Sequence, residues 1–125
     1  MKKIRVGING FGRIGRMAAR LLWEDSQFEL VGINDLTALD QNAHLLQYDS
    51  VHGPWSHSVK AENGSLTIGG QKVQVFSQRD PVEIPWGKLG ADIVFECTGV
   101  FLKKDDASKH LKAGARKVIL SAPTK

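Results

Sequence analysis

What the sequence lacks already narrows its class. It has one cysteine, Cys97, so no disulfide can form within the chain, and a metal site built on cysteine pairs is excluded. No apolar run approaches the ~18 residues that a membrane-spanning helix needs, and no apolar secretory segment follows Met1. These absences predict a cytoplasmic protein with no membrane contact and no metal.

Aromatic residues are also few, at 7% of the sequence, and this bears on nucleic-acid binding. The net charge of +4 is compatible with an anionic ligand. The basic residues are scattered along the chain, however, with no aromatic residues interleaved to stack on bases. This pattern argues against nucleic acid as the main partner. The length of 125 residues suits one domain with a single modest core.

A glycine-rich stretch at residues 10–15 organises the chain. The short apolar run over residues 4–9 before it is typical of a buried parallel strand. Gly10, Gly12 and Gly15 then complete a GxGxxG motif. In such a motif the first glycine permits a tight turn, the second leaves room for a diphosphate, and the third lets the next helix lie close to the strand. The alternative is that these glycines only connect a strand tightly to a helix.

The residues that follow extend the motif. Apolar residues recur at helical spacing and predict an amphipathic helix with an inward stripe of Ile14, Met17, Ala18, Leu21 and Leu22. Its first turn offers backbone N–H groups that favour an anion. Residues 28–35 predict a second strand ending in Asp35, at about the 20-residue spacing from the last glycine where an acid binds a ribose. The whole pattern favours dinucleotide binding.

The middle of the chain predicts a helix, a meander and a loop. Thr37 is the candidate N-cap of a helix that ends near Tyr48. Residues 56–76 alternate like a small antiparallel β-meander at the sheet edge. Pro81 and Pro85 predict a segment without regular structure. Arg79, in this loop, is equally compatible with a contact to adenine and with a solvated position.

The last third predicts a strand, a helix and a strand over residues 92–97, 103–113 and 117–121. Carboxyl ends of parallel strands form the ligand crevice, so Cys97, Thr98, Gly99 and Ser121 are expected near a cofactor. Cys97 itself, at the end of a buried strand, is most simply a small hydrophobic residue. The predicted fold class is α/β: a Rossmann-type, doubly wound, mostly parallel sheet with a small antiparallel meander, incomplete at its C-terminal end.

Five motifs, in this order, resemble those of glyceraldehyde-3-phosphate dehydrogenases. They are INGFGRIGR at residues 8–16, IND at 33–35, YDSVHG at 48–53, ECTGVF at 96–101 and GARKVI at 114–119. The likeness runs along essentially the whole chain. It implies that residues 1–125 form an NAD-binding Rossmann domain and that the substrate domain is absent from this chain.

The resemblance also implies an activity for the parent protein. In this family a cysteine attacks an aldehyde, a histidine assists, NAD accepts the hydride, and inorganic phosphate releases the acyl group. The family's nucleophile lies in a Ser-Cys-Thr-Thr-Asn stretch that these 125 residues do not contain. We therefore assign no catalytic residue here and expect the chain alone to be inactive. The full-length enzyme would use glyceraldehyde 3-phosphate and phosphate in glycolysis, as a homotetramer.

The implied cofactor contacts follow the motifs. Arg13 and Ile14 would lie along the pyrophosphate, Asp35 would hold the adenosine ribose, and Arg79 would reach the adenine. The full implied set is Asn9, Gly10, Phe11, Gly12, Arg13, Ile14, Gly15, Asn34, Asp35, Arg79, Thr98, Gly99, Phe101 and Ser121. Two alternatives stay open: the cofactor domain of an erythrose-4-phosphate dehydrogenase, and a stand-alone nucleotide-binding or interaction module.

Overall fold

The computed structural model describes residues 3–49, 53–98 and 104–120. The strands in these ranges are β1 (Ile4–Asn9), β2 (Phe28–Asn34), β3 (Tyr48–Asp49), β4 (Gly53–Pro54), β5 (Val59–Glu62), β6 (Ser65–Ile68), β7 (Gln71–Phe76), β8 (Ile93–Glu96) and β9 (Lys117–Leu120). The helices are α1 (Arg13–Glu24), α2 (Leu39–Gln47), α3 (Trp86–Leu89) and α4 (Lys104–Lys112), with a 3₁₀ turn at Pro81–Glu83.

Most of the strands form one sheet, in the order β5-β6-β7-β2-β1-β8-β9. From β7 to β9 all neighbours are parallel, whereas β5, β6 and β7 pair antiparallel at one edge. The chain passes from β1 to β2 on one side and later to β8 on the other, so β1 lies at a topological switch point. The predicted Rossmann-type fold is confirmed.

β7 belongs to two arrangements at once. The sequence predicts an antiparallel meander over residues 56–76, and β7 pairs with β6 in this way. On its other side, however, its residues 74–76 pair in parallel with residues 32–34 of β2. The meander therefore ends in a strand of the parallel sheet, and the loop after β7 emerges at the same edge as the glycine-rich turn.

Helix α1 is rotated relative to the predicted stripe. The sequence predicts Ile14, Met17 and Leu21 on the buried face, but their exposed fractions are 51%, 37% and 68%. The buried residues of the helix are Gly15, Ala19 and Leu22, of which the predicted stripe included only Leu22. Ala18, also in the stripe, is half-buried and packs against the core. A Cβ at Gly15 would overlap the carbonyl oxygen of Gly10, so only a glycine fits where the helix comes closest to the strand. That close approach fixes which side of α1 faces the sheet.

Trp86 explains two glycines inside the central strands. Gly7 of β1 pairs with Gly32 of β2, and the fully buried indole of Trp86 lies against both. A Cβ at Gly7 would overlap the six-membered part of the indole ring, and one at Gly32 would come within 2.7 Å of a Leu89 methyl carbon. The paired glycines thus form a notch in the sheet that the tryptophan fills.

Two local predictions around α2 and the prolines are wrong. Helix α2 begins at Leu39 after Ala38, and no side chain caps it. Thr37 is not its cap, because Ala38 holds that position and both the backbone N–H of Thr37, at 3.0 Å from Oδ2, and its side chain are bonded to Asp35. These bonds form a turn around that carboxylate.

The proline segment is more regular than expected. Pro81 starts a 3₁₀ turn, and the carboxylate of Asp80 accepts a hydrogen bond from Val82 N at 3.1 Å. Pro85 directly precedes helix α3. Proline has no N–H to lose at the first positions of a helix, so both prolines initiate turns here rather than exclude them.

Candidate cofactor-binding groove

A cavity of about 500 Å³ opens at the carboxyl ends of β1, β2, β7 and β8. This is the crevice in which open α/β sheets bind their ligands. Its lining consists of Asn9, Gly10, Phe11, Gly12, Asn34, Asp35, Leu36, Thr37, Gln78, Arg79, Cys97 and Thr98. The structure thus brings most of the sequence-predicted positions into one place.

The remaining predicted positions fall into two groups. Arg13, Ile14 and Gly15 form the first turn of α1, next to the cavity but outside its lining. Gly99, Phe101 and Ser121 lie outside the described residues. Sequence reasoning missed three lining residues: Leu36, Thr37 and Gln78. Each lies within two residues of a predicted contact. Extending the predicted site by two residues along the loops after the strands would therefore have included all three.

The glycine-rich turn has the shape that a diphosphate requires. Gly10 has φ +93°, a conformation that strongly favours glycine, and its N–H donates to Asn34 O at 2.8 Å. No atom lies within 4 Å of the position that a Cβ on Gly12 would take, so the backbone is open there. No side chain caps the start of α1 and no acid lies in its first turn. The site therefore fits an anionic ligand.

Asp35 connects the second strand to this turn. Its Oδ1 accepts the backbone N–H of Phe11 at 2.8 Å, and its Oδ2 accepts from Thr37 N at 3.0 Å and Asn42 Nδ2 at 3.3 Å. Burial raises the pKa of Asp35, but these hydrogen bonds outweigh burial and hold the pKa below its ordinary value. The carboxylate is therefore ionised at neutral pH, and Oδ1 can accept a further hydrogen bond from a sugar hydroxyl.

The side chain of Asn34 fixes the loop that carries Arg79. Asn34 Oδ1 accepts from Gln78 N at 2.9 Å, and Asn34 Nδ2 donates to Gln78 O at 2.9 Å. These two bonds continue the pairing of β2 with β7 beyond the last residues of the strands. The exposed Arg79 follows directly and lines the cavity, so it extends from an anchored stretch of backbone.

Cys97 lines the same cavity but is not activated. Burial, and secondarily the negative charge of Glu96, raise the pKa of its thiol to about 11. At neutral pH almost all of it is the thiol, and the thiolate is the form that attacks electrophiles. Cys97 is half-buried at the end of β8, where the sequence predicts a small hydrophobic residue.

A buried polar network lies behind the groove. Glu96, 2% exposed, accepts four hydrogen bonds. Asn9 Nδ2 at 2.6 Å and His110 Nε2 at 2.7 Å bind its Oε1, and the N–H and hydroxyl of Thr98, at 3.0 and 2.5 Å, bind its Oε2. Burial raises the pKa of Glu96, but the bonds from His110, Thr98 and Asn9 outweigh burial and lower the pKa below its ordinary value. Local sequence patterns gave no sign of this network.

Two further features are absent from the part of the chain that the structure describes. None of its helices is long and apolar enough to cross a membrane. Likewise, no three histidine, cysteine, aspartate or glutamate residues within these ranges cluster so as to hold a metal ion.

Comparison with known proteins agrees with the geometry of the groove. Residues 4–104 match the family described as glyceraldehyde 3-phosphate dehydrogenase, NAD binding domain. The chain is 53% identical over 125 residues to glyceraldehyde-3-phosphate dehydrogenase 1 of Trichormus variabilis, covering 100% of this chain and 36% of that protein. It is 51% identical over 120 residues to glyceraldehyde-3-phosphate dehydrogenase 1 of Bacillus subtilis, covering 96% and 36% respectively.

A third relative is a cytosolic glyceraldehyde-3-phosphate dehydrogenase of Trypanosoma brucei brucei, 48% identical over 122 residues, or 98% of this chain and 37% of that protein. The chain thus spans little more than a third of the length of these relatives. The match covers the strands, the glycine-rich turn and the acid that form the groove. The chain therefore belongs to the glyceraldehyde-3-phosphate dehydrogenase family, as an NAD-binding domain.

Proposed function

We propose that NAD is bound along the groove with its diphosphate against the backbone of the glycine-rich turn and the start of α1. The adenosine ribose is held by Asp35, the adenine lies towards Arg79, and the nicotinamide half extends towards Thr98. The observation that carries this assignment is the bond from Phe11 N to Asp35 Oδ1, at 2.8 Å. It sets an ionised acid directly beside an open backbone turn, as a ribose followed by a diphosphate requires.

The same carboxylate accounts for a preference for NAD over NADP. A 2′-phosphate on the adenosine ribose would bring a second negative charge within a few ångströms of Asp35. Like charges at about 4 Å repel by ~1 kcal/mol in water and ~4 kcal/mol at an intermediate dielectric. Because ~1.4 kcal/mol is a tenfold change in affinity, NADP is expected to bind at least several-fold more weakly.

We further propose that these residues supply the cofactor half of a phosphorylating aldehyde dehydrogenase. The bound NAD would supply the hydride acceptor. The chain's own thiol, Cys97, has its pKa raised to about 11 and is a poor nucleophile at neutral pH. The 125 residues alone are therefore expected to bind NAD without oxidising glyceraldehyde 3-phosphate in the presence of phosphate. The family resemblance supports a glycolytic homotetramer as the parent protein, and the relative named cytosolic supports a cytoplasmic location.

Calorimetric titration of the 125-residue chain tests the cofactor assignment. NAD is expected to bind, NADP to bind more weakly, and AMP to retain part of the affinity of NAD. Equal dissociation constants for NAD and NADP would contradict the role of Asp35. A parallel assay with glyceraldehyde 3-phosphate, phosphate and NAD should produce no NADH, and steady NADH formation would overturn the proposed lack of turnover.

A further inference from the structure

Glu96 does not line the cofactor groove, yet it binds two residues that do. Its Oε1 accepts from Asn9, at the end of β1, and its Oε2 accepts twice from Thr98, just beyond the end of β8. Both lining residues are therefore bonded to the same carboxylate. A buried carboxylate with four donors is held in a single orientation, because each oxygen has a fixed pair of partners.

His110 holds the same carboxylate from behind. The indole N–H of Trp86 donates to His110 Nδ1 at 2.9 Å, so Nδ1 carries no proton. The proton of the neutral ring is then on Nε2, which donates to Glu96 Oε1 at 2.7 Å. His110 is fully buried on α4 and Trp86 is fully buried on α3. The carboxylate is thus anchored to two helices that do not line the cavity.

One chain of hydrogen bonds leads from Gln78 to Glu96 with every donor on the Gln78 side of its acceptor only if the two asparagine amides are oriented as they are here. Gln78 N donates to Asn34 Oδ1, Asn34 Nδ2 donates to Asn9 Oδ1 at 2.8 Å, and Asn9 Nδ2 donates to Glu96. Reversing the Asn9 amide would place its NH₂ group against the NH₂ group of Asn34. Reversing Asn34 as well would place its NH₂ group against Gln78 N and its oxygen against Gln78 O. The chain of bonds therefore has one polarity, defined by a backbone at one end and by the carboxylate at the other.

From this geometry we propose that Glu96, anchored by His110, is a positioning residue for the nicotinamide half of the bound dinucleotide. Its Oε2 fixes the backbone of Thr98 on one side of β1. Its Oε1 ends the series of hydrogen bonds that begins at Gln78 on the adenine side. The inference rests on the proposed placement of NAD in the groove. It assigns a function to a buried acid that touches neither the cofactor nor solvent.

Replacing Glu96 by glutamine tests the proposal with little change of shape. A carboxamide has one acceptor oxygen, so its NH₂ must face either the Thr98 pair or the Asn9–His110 pair. The fixed polarity of the chain keeps the oxygen on Asn9 and His110. The hydroxyl of Thr98 can turn and accept, but its backbone N–H cannot. The hydrogen bond from the Thr98 backbone N–H is therefore expected to be lost, and the hydrogen bonds on the adenine side are expected to remain.

The expected result is a split between two ligands. In Glu96→Gln the dissociation constant of NAD should rise about tenfold, as the loss of a hydrogen bond to a charged group predicts. That of AMP, which occupies only the adenosine half, should change less than about twofold by the same reasoning. Asp92→Asn is the matched control: Asp92 also accepts a backbone N–H, from Arg5 at 3.0 Å, but beside the amino end of β8. It should leave both constants unchanged.

Amide hydrogen exchange without ligand gives a second readout. The Thr98 N–H should exchange faster in Glu96→Gln than in Asp92→Asn, whereas the Gln78 N–H should not. If Glu96 has a purely structural role, Glu96→Gln should lower the urea midpoint but leave the NAD dissociation constant of the folded protein and the Thr98 exchange rate unchanged. This outcome would overturn the proposal. If the wild type binds neither nucleotide, the proposed NAD site fails, and the Thr98 exchange rate alone decides whether Glu96 positions that residue.

His110→Phe serves if Glu96→Gln does not fold. Phenylalanine keeps the bulk of the ring but donates nothing to Glu96, so the carboxylate is released from α4 while its charge remains. The NAD constant should rise by roughly threefold or more, with AMP little changed, since the bond removed again involves a charged acceptor. An NAD constant equal to that of the wild type in this variant would overturn the proposal.

Discussion

The carboxylate of Asp35 accepts the backbone N–H of Phe11 at 2.8 Å, and this bond joins the end of β2 to the turn after β1. The acid is therefore a structural part of the glycine-rich turn as well as a candidate ribose ligand. The two groups proposed to bind different parts of the dinucleotide are joined by one hydrogen bond. A substitution at Asp35 should consequently affect both cofactor choice and turn geometry.

Asp35→Asn is expected to reduce the preference for NAD over NADP. The amide oxygen can still accept from Phe11, but the negative charge that repels a 2′-phosphate is gone. NAD should bind roughly tenfold more weakly, because a charged acceptor of sugar hydroxyls is lost, while NADP should lose less. Titration of both nucleotides measures this. Asp25→Asn, at the far end of α1, is the control and should retain the wild-type ratio.

Two glycines of the same motif should respond to alanine in opposite ways. A methyl group at Gly12 meets no protein atom within 4 Å, and its φ of −78° suits alanine. Gly12→Ala should therefore keep or gain ~0.4–1 kcal/mol of stability while weakening NAD binding, since the methyl group occupies the space of the diphosphate. Urea unfolding and calorimetry separate the two effects. Unchanged NAD affinity in Gly12→Ala would contradict the assigned position of the diphosphate.

Gly15→Ala should instead destabilise the fold. Its Cβ would overlap the carbonyl oxygen of Gly10, a backbone atom that cannot turn away. The expected cost is ~1–3 kcal/mol of unfolding free energy, as for overpacked sites in general, and it is read from the urea midpoint of the ligand-free protein. A midpoint equal to that of Gly12→Ala would refute this reading of the third glycine.

The notch filled by Trp86 predicts a coupled pair of substitutions. Gly7→Ala places a methyl group inside the indole ring and should cost ~1–3 kcal/mol. Trp86→Leu alone leaves a void and also costs stability. The double variant should lose less than the sum of the two, because the smaller side chain accommodates the new methyl group. A double-mutant cycle by urea unfolding measures the coupling, and strictly additive losses would count against the notch.

Stability should fall in acid because two carboxylates have lowered pKa values. Asp35 and Glu96 titrate in the folded protein below their ordinary values of 3.8 and 4.5, so the unfolded chain takes up protons first as the pH drops. Their stabilisation is complete above the ordinary values and is lost as the pH falls through the folded ones. Urea unfolding from about pH 6 downwards should show this decline. Glu96→Gln should show a shallower decline, and an identical slope would be the contrary result.

The thiol of Cys97 should react slowly. Its pKa of about 11 leaves little thiolate at neutral pH. Alkylation by iodoacetamide should accelerate with pH well beyond the range in which an exposed cysteine levels off, and urea should increase the rate at neutral pH. Fast modification of the folded protein at pH 7 would show that the thiol is activated after all.

Local patterns in the sequence predicted the order of elements and the position of the groove. Patterns within a few consecutive residues predict the strands, the helices and the GxGxxG motif. Because parallel strands all end at the same edge of the sheet, these patterns also predict where the groove lies. Asp35 could be found in this way because its spacing from Gly15 follows from the length of one helix and one strand.

Most of the features that were missed depend on contacts across the fold. The rotation of α1 is set by the approach of Gly15 to Gly10, and periodicity alone did not show which of two adjacent apolar stripes turns inward. The start of α2 was missed for a local reason: the chain turns around Asp35, which accepts the N–H of Thr37 two residues on, before the helix begins. Asn9 and Glu96 are bonded although 87 positions separate them, so no window of the sequence contains both.

The fit of Trp86 into the paired glycines of β1 and β2 has a consequence for how this domain can diverge. A side chain at Gly7 is tolerated only if the indole shrinks, and one at Gly32 meets the indole as well as Leu89. A smaller residue at 86 leaves a hole unless a strand position grows. These three sites should therefore drift together among descendants of the sequence. Transferring one of these residues alone from a distant homologue into this chain should destabilise it, whereas transferring all three together should preserve the packing between them.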